Sequence, residues 1–284
     1  DDPVLNAARA GVFRALADSG FVEDKNLKVY DQNAQGDLSM INAILQAFVS
    51  QNVELVITNS TPCMAAAAQL VRSIPVVFTV TFSPQQIGFK SIRDNMNGVY
   101  DPFKAAEFVD MMLECTPGIK RVGIPYNTSE PNAQYSFKFI SKELTARGIA
   151  VIPASVNSTN DILQAGQALM TKSIDVMVVA ADNTVYLGLP VLSKLCTENK
   201  IPLFVTDPLQ TEKGACIGYG ANYDQWGYQA GLKAVEILKG RSISPANRIE
   251  PILKYELIIN TKACKELNLS IPQTLISRAT RVIN

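Results

Sequence analysis

Short runs of Val, Ile and Leu alternate along this chain with longer stretches in which apolar positions return every three or four residues. The short runs are bounded by Pro, Gly, Asn and Asp, which marks strands buried on both faces; the longer stretches have the period of helices packed on a sheet. The pattern predicts helices over 4–19, 38–51 and 62–72 with strands over 27–31, 54–58 and 75–78. It then starts again: strand 121–125, helix 130–147, strand 150–154, helix 161–171, strand 175–179, helix 185–199 and strand 202–205. A strand over 215–219, a long helix over 225–239 stopped by Gly240, and a strand over 255–260 follow. Lys239 and Gly240 supply the cation and the permissive backbone that helix ends favour.

The two halves match element for element at an offset of roughly 120 residues, with one strand more at the front of the second. A doubly wound lobe needs that strand at its centre, so the expectation is an opening strand upstream of Asp1. The repeat implies an α/β fold of two Rossmann-like lobes with parallel sheets. The expected N-terminal lobe is 1–100 with 222–252 and the C-terminal lobe is 101–221 with 253–284. A three-crossing hinge is placed near 98–102, 220–223 and 252–255, and the ligand cleft between the lobes.

Composition narrows the partner. The chain has 284 residues, 47% of them hydrophobic and 18% charged, enough for two cores. Its 26 basic and 26 acidic residues cancel, which argues against nucleic acid or an anionic membrane and suits a small neutral or zwitterionic molecule. No run of about eighteen apolar residues occurs, and the first residues show neither a basic export region nor a lipobox, so the expectation is a mature or trimmed form without an anchor of its own. Histidine is absent, which removes the commonest general base and transition-metal ligand. Cys63, Cys115, Cys196, Cys216 and Cys264 are scattered with no CxxC pair, so buried small apolar residues are expected rather than a metal cage or a disulfide framework.

In open parallel sheets ligands sit beyond the carboxyl ends of the strands, where helix N-termini point free amides. Polar segments stand at four such ends: Asn59-Ser60-Thr61-Pro62, Tyr126-Asn127-Thr128-Ser129-Glu130, Asp182-Asn183-Thr184, and Asp207. Ser60, Thr61, Ser129 or Asp182 would serve equally as ordinary N-caps, and capping does not exclude binding, because a cap satisfies only some first-turn amides. As a set, hydroxyls and helix amides suit a carboxylate, while one or two of Glu130, Asp182 and Asp207 could hold an ammonium group, Asp182 being the acid expected to do so. That is the chemistry of a free amino acid. Phe78, Phe82, Tyr100, Phe103, Tyr126 and Tyr186 lie near these ends; core packing is the ordinary role of each, and a subset lining the cleft would favour an apolar or aromatic ligand side chain. Trp226 is read as structural.

The segments "ITNSTPCMAAAA", "IPVVFTVTFSPQQIG", "NMNGVY", "VGIPYNTSEPNA", "AADNTV", "IPLFVTD", "GANYDQWGYQAG" and "ILKG" occur in this order. Together they resemble the ABC-transporter substrate-binding proteins whose better-known members carry tryptophan, tyrosine or phenylalanine, over nearly the whole chain. The resemblance implies a type I periplasmic-binding-protein fold, a hinge closing on an amino acid, no cofactor, a membrane permease as partner, a monomer, and an extracytoplasmic location in the periplasm or as a surface lipoprotein. Carried over by motif, the ligand-binding residues are Ser60, Thr61, Phe82, Asn127, Ser129, Glu130, Asp182, Asn183 and Asp207. "TFSP" stands where "TDP" is usual, so an acid of the common pattern is missing beside Phe82 and Ser83. A ligand-sensing extracellular domain of a signalling protein, or a binder of some other small solute, is the alternative. An enzyme is disfavoured, since no nucleophile-base pair, phosphate-binding glycine loop or metal cluster stands in the sequence.

Overall fold

The protein is described by a computed structural model covering residues 2–35, 37–90, 92–242 and 244–284. The chain begins with α1 (Pro3–Asp18), α2 (Leu38–Ser50), β1 (Val56–Asn59), α3 (Thr61–Leu70), β2 (Val76–Thr79) and β3 (Met96–Tyr100). It continues through α4 (Ala105–Cys115), β4 (Arg121–Asn127), α5 (Pro131–Ala146), β5 (Ala150–Val156), α6 (Ile162–Met170), β6 (Val176–Val179), α7 (Asn183–Leu187), α8 (Leu189–Glu198), β7 (Leu203–Val205) and β8 (Ile217–Ala221). It ends with α9 (Tyr223–Leu238), β9 (Ile249–Pro251), β10 (Tyr255–Asn260), α10 (Thr261–Glu266), α11 (Gln273–Arg278) and β11 (Arg281–Ile283). Packing divides it into two units, Asp1–Pro102 with Asn222–Lys254 and Phe103–Ala221 with Tyr255–Asn284.

The first unit holds a four-stranded sheet in the order β1-β2-β3-β9, every pair parallel. Val56, Val76, Phe78 and Met96 bury one face against Ile41 and Leu45 of α2 and Met64, Ala67 and Val71 of and beside α3. α1 packs on α9 at very short range, because the meeting positions are glycine and alanine. A Cβ on Gly227 would lie 1.8 Å from the Ala8 carbonyl oxygen, and one on Gly11 would lie 2.0 Å from that of Asp224. Only glycine lets the two backbones approach so closely. Arg14 ties the pair with a fork of two bonds to Asp224, at 2.9 and 2.8 Å. The strand expected over 27–31 does not form: beyond one bridge between Glu23 and Leu27 the segment has no strand partner among the described residues. Without a neighbour to take its ladder, an apolar run gains nothing from extension.

The second unit has seven strands in the order β11-β10-β8-β7-β6-β4-β5. All neighbours are parallel except β8 and β10, which run antiparallel, a departure from the all-parallel expectation. β4 enters mid-sheet, β5 takes one side and β6 the other, so the winding reverses between β4 and β6, where such sheets form a crevice. The single helix expected over 185–199 is two. Pro190 has no N–H to bond the Tyr186 carbonyl, and Gly188 breaks the run where a Cβ would meet Ile162 Cδ1 at 2.4 Å. α4 was legible but not predicted: Ala105, Phe108, Val109, Met112 and Cys115 bury one helical stripe. β9 and β11 have three residues each, too few for a pattern.

Candidate functional site

The winding reversal of the second unit is also where its polar residues gather. Asp182 is the N-cap of α7: its Oδ1 accepts the Val185 N–H at 2.8 Å. Its Oδ2 accepts the Asn127 N–H, at the end of β4, at 2.6 Å. One carboxylate therefore joins the ends of two strands. Asp182 is 2% exposed, and burial, then the neighbouring charge of Glu130, push its carboxyl up to about 7 against the pull of the backbone N–H groups.

Glu130 is the N-cap of α5 yet its side chain accepts no backbone N–H of its own helix. It reaches instead to the start of α7. Oε1 accepts the Thr184 N–H at 3.0 Å and the Thr184 hydroxyl at 2.5 Å. Oε2 accepts the Asn183 N–H at 3.0 Å, the Asn183 Nδ2 at 2.7 Å and the Asn132 Nδ2 at 3.1 Å. Five donors occupy the carboxylate, and the first-turn amides of α7 are already taken. Those of α5, a 16-residue helix, are left uncapped by Glu130, so this is the N-terminus at the reversal that can offer amides to an anion. Asn127 Nδ2 donates to the Thr184 hydroxyl at 2.9 Å while its Oδ1 accepts the Ser129 N–H at 2.8 Å, leaving the exposed Ser129 at the surface of the cluster.

At the neighbouring strand end Asp207 begins the 3-10 turn Pro208–Lys213 and is buried. Its N–H donates to the Tyr186 Oη at 3.2 Å, and that hydroxyl donates to the Val179 carbonyl at 2.9 Å. Tyr186 thus pins the ends of β6 and β7 together, and its phenol is raised well above its ordinary pKa by burial and then by the Asp207 charge. Gln210, in the same turn, is fully buried with neither amide atom partnered. Asn132 is buried too, its Nδ2 shared with the Ala181 carbonyl at 3.1 Å and its Oδ1 unpartnered. Thr184 and Asn132 were missed as site residues although both stand inside the motifs "ADNT" and "EPNA"; Gln210 carries no local signal beyond its three-residue spacing from Asp207.

In the first unit Ser60 stands at the N-cap of α3 with φ 137° and ψ 161°, makes no side-chain cap, and is buried. Val80, just past β2, has φ 54°, a conformation a β-branched residue rarely holds. The Thr61 hydroxyl donates to that of Thr81 at 2.9 Å, and Thr81 donates to the Phe82 carbonyl at 3.2 Å. Phe82 is 4% exposed and bridges to Asp101. Thr58 Oγ1, Asn59 Oδ1 and Thr79 Oγ1 are buried without a partner among the described residues. Strained backbone and orphaned polar atoms, each costing about 1–3 kcal/mol, collect at ligand-contacting ends of a fold. The aromatic side chains near the strand ends also have packing roles: Phe78 is fully buried, Tyr126 stacks on Phe137 at 4.1 Å between centroids, and Trp226 donates to the Val99 carbonyl at 2.8 Å.

The family model for ABC transporter substrate binding proteins matches residues 1–283. A tyrosine-binding protein of Clostridioides difficile is 30% identical over 275 residues, covering 95% of this chain and 79% of that protein. A conserved domain protein from Vibrio cholerae has a solved structure that superimposes with a TM-score of 0.92 at 28% identity, over 99% of this chain and 96% of that one. An ABC domain from Streptococcus pneumonia, solved in complex with L-Trp, superimposes with a TM-score of 0.91 at 24% identity, over 100% of this chain and 96% of its own.

Proposed function

This chain belongs to the ABC transporter substrate-binding protein family, and from that premise we propose that it captures a free amino acid with an aromatic or large apolar side chain outside the cytoplasm and delivers it to a membrane permease. The observation that carries the reading is the family match over residues 1–283 together with a tyrosine-binding relative that covers 95% of the chain. The geometry supports the zwitterion. The ligand carboxylate is assigned to the uncapped amides at the start of α5 with the Ser129 hydroxyl. Glu130 accepts from five donors and each oxygen of Asp182 already accepts a backbone N–H, so the two acids position α7; Asp207, buried at the neighbouring strand end, is the acid assigned to the ammonium group. The protein acts as a monomer in this reading, held in the periplasm or as a lipoprotein at the cell surface.

The test is thermal unfolding of refolded protein, stripped of co-purified ligand, against the twenty amino acids, sugars, purines and small peptides. A ligand at about 100 times its dissociation constant adds roughly 2.7 kcal/mol, a shift of several degrees. Tyrosine, tryptophan or phenylalanine giving that shift, and Asp207→Asn abolishing it, is the expected result. A shift from sugars or purines with none from any amino acid overturns the assignment.

A further inference from the structure

Four of the five cysteines are buried, and two of them meet in the core of the second unit. Cys216 precedes β8 and Cys264 lies on α10; they are 0% and 1% exposed, and the Cys264 thiol donates to the Cys216 carbonyl at 3.5 Å. The pairing of the chain around them is fixed from both sides. The Asn260 N–H bonds the Cys216 carbonyl at 2.8 Å, and the Asn260 side chain caps α10 through Ala263 N at 3.0 Å, which sets the turn carrying Cys264 against the start of β8. We propose that Cys216 and Cys264 are joined by a disulfide in the mature protein. The proposal rests on the extracytoplasmic location argued above, since disulfides persist in oxidising compartments.

The two thiols share one apolar cluster and act on each other, the pKa of Cys216 being lowered and that of Cys264 raised. Cys216 is accordingly the first nucleophile. Its thiolate attacks the disulfide of an oxidant, an oxidised thioredoxin-like oxidoreductase or oxidised glutathione, and one oxidant thiolate leaves. Cys264, deprotonated in turn, attacks Cys216 Sγ in the mixed disulfide and expels the second oxidant thiolate. The protein loses two protons and two electrons, and the oxidant disulfide becomes two thiols. Burial calls for opening of α10, a six-residue helix, or for reaction before the core closes. Cys115 shares the apolar cluster but enters no hydrogen bond with the pair, so the bond leaves it reduced. Among the described residues no group of three or more Cys, His, Asp or Glu is arranged for a metal ion, which leaves pairing rather than coordination as the chemistry of these thiols. The bond closes a loop that contains residues 222–254, the whole excursion of the chain into the first unit. It staples the base of that excursion within the second unit and touches no strand end of the candidate site.

The experiment equilibrates reduced full-length protein with a glutathione redox buffer, quenches with an alkylating agent, denatures, and maps the peptides by mass spectrometry. In parallel, protein from the cell envelope is alkylated at lysis. The expected result is a peptide linking Cys216 to Cys264 in both samples, with Cys115 alkylated, and a midpoint raised by about 5 to 10 °C that reverts with dithiothreitol. Affinity for tyrosine is the same in both redox states. Cys264→Ala, which removes the bond, shows no redox-dependent shift, and Cys115→Ala retains it. Both thiols alkylated in both samples overturn the pairing. A bond that forms in glutathione but is absent from cell-derived protein overturns the mature disulfide through the location reading, while leaving the geometry standing.

Discussion

Replacing Glu130 by Gln should change how the stability of the second unit depends on pH, and the structure sets the sign. Asp182 has its carboxyl raised to about 7 in the folded protein, by burial and then by Glu130, against an ordinary value of 3.8. Between those values the folded state holds a proton that the unfolded state has released. Stability is therefore greatest at the acid end of the window and falls as pH rises toward 7. A difference of about three units is worth on the order of 4 kcal/mol, reached by pH 8. Asp37 and Asp161, whose carboxyls are lowered by hydrogen bonds, act only below their ordinary range. The substituted side chain is a neutral amide, so the part of the rise due to the Glu130 charge disappears and the slope flattens. The same change turns an NH2 group toward donors that Glu130 accepted, on Asn183 and Asn132 or on Thr184, and lowers stability by roughly 2–4 kcal/mol at pH 5. Denaturant unfolding from pH 5 to 8 should be followed by far-UV circular dichroism, because the single tryptophan, Trp226, belongs to the first unit. Equal slopes for the two proteins would show that Glu130 does not act on Asp182, and the account of the cluster would fail with them.

Gly227→Ala forces a methyl group onto the Ala8 backbone at 1.8 Å, so α1 must move off α9; a loss of about 3 kcal/mol is expected, read from Trp226 fluorescence on heating. Tyr186→Phe leaves the Val179 carbonyl and Asp207 N–H without their shared hydroxyl and should cost about 1–3 kcal/mol by calorimetry; an unchanged midpoint would mean the strand ends are held by other bonds. Ser60→Gly relieves a φ of 137° and should raise stability by about 1 kcal/mol, whereas Ser60→Ala keeps the strain; titration calorimetry with tyrosine should show both weakened if the hydroxyl meets the ligand.

Where the polar strand ends lie was legible because an apolar strand that stops abruptly on polar residues is a local event. "VITN" into "STP" and "VMVVAA" into "DNT" can each be read without knowing the rest of the chain. The repeat made the elements legible for the same reason, and it failed where a neighbour decides the outcome. Residues 27–31 have strand composition and no strand, for want of a partner; the 185–199 run has helical period and a break, because Gly188 must pass Ile162. The roles of the acids were illegible for a further reason. Asp182 and Glu130 look like two independent caps in sequence, each beside the start of its own helix. In the structure Glu130 bonds Asn183 and Thr184, 53 and 54 residues away, and leaves α5 open. A carboxylate can cap only the amides it reaches, so that crossing decides which helix remains able to take an anion. Spacing along the chain marks both helices alike, while the geometry makes α7 the fixed wall of the cluster and leaves α5 without a side-chain cap.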